Sequence, residues 1–158
     1  VGIIDFEHYV DGTAGDALRM PAGGSLLPAT HETIDKRMHY VKQDGATVFK
    51  FAVRNTEECC RRLLERNNLT GKDIDVFLSH QANRRIIESA AEKLDMDLKK
   101  VVINIERFGN TTAGTIPLAL QSAVDEGRIK NGDLVLLASV GAGFTVGSVL
   151  LRWGTGKA

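Results

Sequence analysis

The spacing of apolar residues along the chain predicts three helices. Apolar side chains recur every three or four residues from Thr47 to about Arg66, and again on one face of a segment that follows Asn83. A third helix is expected after Asn110, whose side chain is suited to capping, and it should end at about Glu126 because a glycine follows.

Five short segments predict strands because they are rich in β-branched and aromatic residues or are apolar throughout. These segments are residues 1–10, 75–79, 101–103, 134–138 and 144–153. The continuous apolar run at 134–138 is expected of a strand that is covered on both faces. Strands and helices alternate, so the predicted fold class is α/β, with helices packed on a layered sheet.

Residues 11–45 break this alternation with glycines, prolines and little periodicity. They predict a long irregular segment that is functional or packed against a partner.

Residues 154–158 are predicted to be frayed. The 158 residues suit one domain. The chain starts at Val1, without a methionine and inside a predicted strand, so we expect a fragment, a cleaved product or a truncated chain.

Composition and charge exclude several classes of function. Lys plus Arg equals Asp plus Glu at 20 each, which gives no reason to propose a nucleic-acid or membrane partner. No apolar run is long enough to span a bilayer, and no secretory signal is recognisable. The two cysteines, Cys59 and Cys60, are adjacent, which argues against a disulfide or a metal site and fits a reducing, cytoplasmic compartment.

Polar residues and small residues follow three of the predicted strands. His80 comes directly after the strand at 75–79, Asn110 lies at the next strand–helix junction, and Gly141-Ala142-Gly143 follows the strand at 134–138. Sites in α/β proteins gather at such strand ends, and converging donors there suggest stabilisation of a carbonyl oxygen or an enolate. Ordinary structural roles remain open for each: a satisfied histidine, an asparagine cap and a glycine hairpin.

Longer motifs around these residues carry a resemblance to a known family. Ser79-His80-Gln81-Ala82-Asn83 with Arg85-Ile86-Ile87, and Arg-Phe-Gly-Asn-Thr-Thr-Ala-Gly-Thr-Ile-Pro at 107–117, resemble the histidine and asparagine motifs of the β-ketoacyl-acyl-carrier-protein synthase III family. Residues 141–153 are similar to its C-terminal glycine hairpin, and residues 45–53 to the segment before its histidine motif. The likeness covers nearly the whole chain in order.

The resemblance implies that residues 1–158 form the C-terminal, thiolase-like half of such an enzyme, with a mixed sheet and helices on both faces. The family makes a carbon–carbon bond by decarboxylative Claisen condensation of acyl-CoA with malonyl-acyl carrier protein, and it carries no covalently bound cofactor or metal. His80 and Asn110 would donate hydrogen bonds to the malonyl thioester carbonyl. Backbone N–H groups at Ala142 and Gly143 would meet the other oxyanion.

The family's nucleophilic cysteine lies in its N-terminal half, and neither cysteine of this chain matches its motif. The chain alone is therefore expected to be inactive, to expose an apolar patch and to self-associate. The resemblance implies a homodimer for the intact enzyme.

Other positions matched by the resemblance concern binding. Asn83 matches an asparagine that orders water near the histidine, and it is also a candidate helix cap. The residues that match basic positions facing the acyl carrier protein are Arg85, Lys50 and Lys93. Valines stand at 140 and 146, where the family commonly has aromatic residues. The acyl chain that the enzyme would accept is therefore left undecided by the resemblance. Two alternative functions are a non-catalytic carrier-protein docking or dimerisation module and a related condensing enzyme of secondary metabolism.

Overall fold

A five-stranded mixed sheet forms the centre of the computed structural model, which describes residues 1–154. The strands are β1 (Gly2–Val10), β2 (Leu18–Arg19), β3 (Lys42–Gln43), β4 (Val76–Ser79), β5 (Val101–Val102), β6 (Leu134–Gly141) and β7 (Thr145–Arg152). The sheet order is β1-β7-β6-β4-β5, while β2 and β3 form a separate ribbon. The strand β4 runs parallel to β5 and β6, and β7 is antiparallel to both of its neighbours. Five of the strands therefore arise where the apolar pattern predicts them.

The three predicted helices are present, and two short ones accompany them. The helices are α1 (His31–Asp35), α2 (Gly45–Arg66), α3 (Arg84–Lys93), α4 (Ile105–Phe108) and α5 (Thr115–Asp125). The long helix α2 begins two residues before the predicted start because the Asp44 side chain accepts hydrogen bonds from the N–H groups of Ala46 and Thr47. The helices α1 and α4 are too short for an apolar period to reveal them.

Helices cover the two faces of the sheet, as expected for this fold class. One face packs against α2 and α3, where Leu63, Phe77, Ile87 and Leu136 belong to one buried cluster. The opposite face packs against α5, and the buried members of that cluster are Val76, Leu78, Val102, Ala119, Ala123, Ile129 and Val135. Because neighbouring residues of β4 point to opposite faces, this strand is buried along its whole length.

The segment 11–45 is more ordered than predicted. It contains a 3₁₀ helix at Gly12–Ala17, the β2–β3 ribbon and α1. The last strand begins one residue later than predicted, because Phe144 still belongs to the turn at 142–144 that joins β6 to β7, around which Gly141 pairs with Thr145. The predicted fraying concerns mainly residues 155–158, which lie outside the described residues. None of the helices within residues 1–154 is long and apolar enough to cross a membrane.

The edge strand β1 presents an apolar face to solvent. Phe6 is 56% exposed and Val10 is 67% exposed. The alternate residues Asp5 and Glu7 point the other way, and both accept hydrogen bonds from the guanidinium of Arg66 at the end of α2. Exposed apolar side chains therefore line one face of this edge strand. Beside them a groove of about 310 Å³ runs across β1, β7 and β6 to α5.

Candidate active site

A cavity of about 640 Å³ opens where β4 and β6 end. The backbone N–H of His80 donates to Ala138 O at 2.8 Å, which extends the β4–β6 pairing by one residue before the chain turns into α3. His80, Asn83, Asn110 and Ala142 all line this cavity. The structure thus brings together side chains from three junctions that are far apart in sequence.

The His80 imidazole is half-buried and held at one nitrogen. Its Nδ1 lies 2.6 Å from Oγ1 of Thr115, the first residue of α5. Burial lowers the pKa of His80 below its ordinary value, because desolvation disfavours the charged ring. The ring is therefore neutral near pH 7 and keeps its second nitrogen, Nε2, for a bound group.

Asn110 does not cap α5, so the structure contradicts that ordinary role for its side chain. Its Oδ1 accepts a hydrogen bond from the Thr112 N–H at 2.9 Å, which closes a tight turn, and Gly114 occupies the cap position of α5. Thr112 has a φ of +53° inside this turn. The turn thus uses the Oδ1 acceptor of the Asn110 amide. The Nδ2 donor of the same amide makes no hydrogen bond within residues 1–154 and can donate to a bound group.

Gln81 links the strand that carries His80 to the loop that leads to Asn110. Its side chain is fully buried, and its Nε2 donates to Ser79 O at 2.9 Å and to Val102 O at 3.1 Å. Its Oε1 accepts from the Asn104 N–H at 3.0 Å. Sequence reasoning missed this role, since the hydrogen-bond partners of a polar residue next to a strand leave no periodic signal.

The glycine turn contributes only in part to the cavity. Ala142 and Gly141 line it, whereas Gly143 does not. Val140 also lines the cavity, but Val146 is buried on β7 outside it, so of the two valines only Val140 contacts this space. The oxyanion role therefore fits Ala142 better than Gly143.

Aromatic side chains form much of the apolar wall, and they were not predicted as site residues. Phe49 and Phe51 of α2 and Phe144 line the cavity, and the rings of Phe51 and Phe144 stack at 4.1 Å between centroids. The Arg85 guanidinium lies 5.4 Å from the centroid of the Phe49 ring. A cavity with one aromatic wall and a cation over a ring of that wall suits a ligand with an apolar part and an anionic end.

The predicted binding residues differ in their distance from this opening. Lys50 adjoins Phe49 in α2 and is exposed, as is Arg85. Lys93 ends α3, eight residues beyond Arg85 and therefore about 12 Å along the helix axis. Asn83 caps α3 by accepting from the Arg85 N–H at 2.9 Å while it also lines the cavity, so the predicted cap is confirmed.

Neither cysteine is placed for catalysis in this cavity. Cys59 and Cys60 are fully buried in α2 and do not line it. Burial raises the pKa of both thiols above the ordinary value. The sulfur of Cys59 lies 3.3 Å from Ser148 Oγ, within the packed interior. No group of three metal-ligating side chains occurs within residues 1–154.

Comparison with known proteins assigns the family. Residues 64–153, more than half of the chain, match the family described as 3-oxoacyl-[acyl-carrier-protein (ACP)] synthase III C terminal. The chain belongs to this family, which confirms the resemblance in its motifs. It is 61% identical over 153 residues to the beta-ketoacyl-[acyl-carrier-protein] synthase III of Koribacter versatilis, covering 97% of this chain and 46% of that protein. It thus spans about half the length of the curated relatives it matches.

Solved structures confirm the fold. The 3-oxoacyl-[acyl-carrier-protein] synthase III of Aquifex aeolicus matches with a TM-score of 0.82 at 38% identity, over 96% of this chain and 44% of that one. The priming β-ketosynthase of the R1128 polyketide pathway matches with a TM-score of 0.79 at 30% identity, over 96% of this chain and 45% of that one. The α/β class, with the layered sheet of this enzyme family, is therefore established.

Proposed function

We propose that this chain supplies the enolate-stabilising half of a condensing active site in a β-ketoacyl-acyl-carrier-protein synthase III. The observation that supports the proposal is the shared cavity, where His80 and Asn110 lie with the Ala142 backbone. In this reaction the malonyl thioester loses carbon dioxide, and the electron pair of the broken bond passes into an enolate. Hydrogen bonds from His80 and Asn110 to the enolate oxygen would stabilise that charge, by about 2.7–4 kcal/mol for each donor.

The acyl group of acyl-CoA must first pass to a nucleophile from outside this chain, with CoA leaving as the thiol. Neither buried cysteine lines the cavity, so we propose that a cysteine of the family's other half carries the acyl group. The carbanion attacks that acyl carbonyl, the new carbon–carbon bond forms and the cysteine leaves as a thiolate. A backbone N–H at Ala142 is suited to receive the oxyanion that forms on the way. The substrates would be acyl-CoA and malonyl-acyl carrier protein, in the cytoplasm, with no covalently bound cofactor.

Reconstitution of the site tests this function. The purified chain should form no ketoacyl product from acetyl-CoA and malonyl-carrier protein, and addition of a separately produced N-terminal half should give activity. In the reconstituted enzyme His80→Ala and Asn110→Ala should each lower kcat by about 10²–10³-fold. The matched controls His31→Ala and Asn131→Ala change exposed residues outside the cavity and should leave kcat unchanged. Product formation by the chain alone, or full activity of either site variant, would contradict the proposal.

The acyl carrier protein is proposed to dock beside Phe49, which lines the cavity and lies under the guanidinium of Arg85. Arg85 makes no salt bridge within residues 1–154, whereas its neighbour Arg84 pairs with Glu88 and Glu106. Arg85→Glu should weaken carrier-protein binding at least tenfold in a fluorescence titration, with the effect falling as salt rises. Lys99→Glu is the matched control, because Lys99 precedes the amino end of β5, at the opposite end of the sheet. If Arg85→Glu binds as the wild type does, the docking site lies elsewhere.

A condensing enzyme of secondary metabolism is the second candidate function, favoured by the likeness to the priming polyketide synthase. Val140 lines the cavity where the family commonly has an aromatic residue, and its smaller side chain leaves more room for an acyl group. Competition between acetyl-CoA and longer or branched acyl-CoA thioesters in the reconstituted assay separates the two candidates. A Val140→Phe variant should shift the preference toward acetyl-CoA. Dimerisation of the intact enzyme is likewise part of the proposal.

A further inference from the structure

The Thr115 hydroxyl faces two possible acceptors but has only one proton to donate. Thr115 is 2% exposed, and its Oγ1 lies 2.6 Å from Nδ1 of His80 and 3.1 Å from the carbonyl oxygen of Thr112. Which acceptor takes the hydroxyl proton decides which nitrogen of a neutral His80 carries its own proton.

The Thr112 carbonyl already has a donor. The backbone N–H of Thr115 donates to this same oxygen, so the carbonyl is satisfied without the hydroxyl. The separation between Thr115 Oγ1 and Nδ1 of His80 points the same way. An N–H group donates to an oxygen at about 2.7–3.2 Å, whereas an O–H group approaches an oxygen to about 2.5–3.0 Å. The separation of 2.6 Å is therefore short for an Nδ1–H group donating to the hydroxyl, and it favours Thr115 as the donor and Nδ1 as the acceptor.

We infer that Thr115 is a positioning residue that holds His80 in the tautomer with its proton on Nε2. Because Nδ1 accepts from the hydroxyl, a neutral ring carries its proton on the nitrogen that is left for a bound group. Burial, which lowers the pKa of His80, keeps the ring neutral, so the tautomer matters. The catalytic use of this proton rests on the proposed function, since only a protonated Nε2 donates to the thioester oxygen of the malonyl group.

The first test is the tautomer itself, which needs no catalysis. Nitrogen-15 NMR of the full chain, labelled at its four histidines, reports the protonation of each ring nitrogen, and the His80 signals are assigned by their loss in His80→Gln. In the wild type Nδ1 should resonate as an unprotonated nitrogen that accepts a hydrogen bond, and Nε2 as a protonated one. A protonated Nδ1 in the wild type at pH 7.5 overturns the inference, whatever the variants do.

The second test removes the hydroxyl and restores it. Thr115→Val keeps the branched shape without a donor, and Thr115→Ser keeps the donor. The Nδ1 signal should lose its hydrogen-bond shift in Thr115→Val and keep it in Thr115→Ser. In the reconstituted enzyme, Thr115→Val should lower kcat about tenfold, corresponding to one hydrogen bond, with KM unchanged.

The two tests separate this inference from the proposed function. An inactive wild-type reconstitution together with the expected wild-type NMR signals would refute the proposed function alone. An active wild type whose His80 signals and kcat are unaffected by Thr115→Val would refute the positioning role alone.

Discussion

Replacement of Gln81 by methionine should weaken the fold and the site together. The side chain is fully buried and makes three hydrogen bonds, to Ser79 O, to Val102 O and from the Asn104 N–H. Methionine has a similar length but no amide, so these three backbone groups lose a partner. A buried polar group without a partner costs about 1–3 kcal/mol, which gives a loss of about 3 kcal/mol or more for the three.

Urea unfolding measures this loss directly, and the midpoint should fall without a change in the slope m. For a domain of this size, 3 kcal/mol corresponds to a decrease of about 6–12 °C in Tm. The matched control is Gln121→Met, because Gln121 is exposed on α5 and bonds only the Asp125 carboxylate within residues 1–154. Its effect should stay within about 0.5 kcal/mol. If Gln81→Met cost no more than this control, the buried amide would not be what links β4 to the loop that leads to Asn110.

Four further predictions follow from other features. Gly71→Ala should cost about 3 kcal/mol in urea unfolding, because a Cβ there would lie 2.0 Å from Leu94 O, whereas Gly12→Ala meets no atom within 4 Å and should be tolerated. Arg66 lowers the pKa of Asp5 by hydrogen bonding, so the stabilisation from this pair is complete above the ordinary aspartate pKa of about 3.9 and is lost as the pH falls below it. The stability difference between wild type and Arg66→Met should therefore shrink from pH 6 to pH 3, and a constant difference would contradict this cause. The two buried cysteines should react with a thiol reagent at pH 8 only at the rate of unfolding, and rapid labelling of the native chain would show an accessible thiol. The apolar face of β1 predicts self-association at high concentration, which a clean monomer in light scattering would refute.

The parts of the fold that repeat a period could be predicted from the sequence. Periodic apolar positions located α2 and α3, and continuous apolar runs located β4 and β6. A helix buried on one face has periodic apolar residues, and a strand buried on both faces has continuous ones. The observed ends of two elements differ from the predicted ones where a capping side chain or a turn sets the boundary. Asp44 extended α2 at its start, and the turn at 142–144 delayed the start of β7.

Candidate site residues could be found from the sequence, but the contacts that orient them could not. His80 and Asn110 stood out because each follows a strand within a long motif. The partner of His80 lies 35 residues away in α5, and the amide of Gln81 reaches Asn104 from 23 residues away. Such pairs depend on how the strands are ordered in the sheet, and no local pattern encodes that order. Phe49 belongs to the apolar period of α2 and Phe51 does not, although both line the cavity.

The pairing of β1 with β7 has a consequence for how the sheet is assembled. Phe6 lies opposite Val149, so the two strands meet across about 140 residues of intervening chain. Contacts between such distant segments form late and slow the folding rate, because the entropy of closing the loop is lost before the pairing compensates for it. During synthesis β1 emerges before β7, so its pairing edge stays unpaired and its apolar face stays open until β7 follows. We expect the central β4–β6 unit with α2 and α3 to form earlier, and β1 to be the last strand to dock.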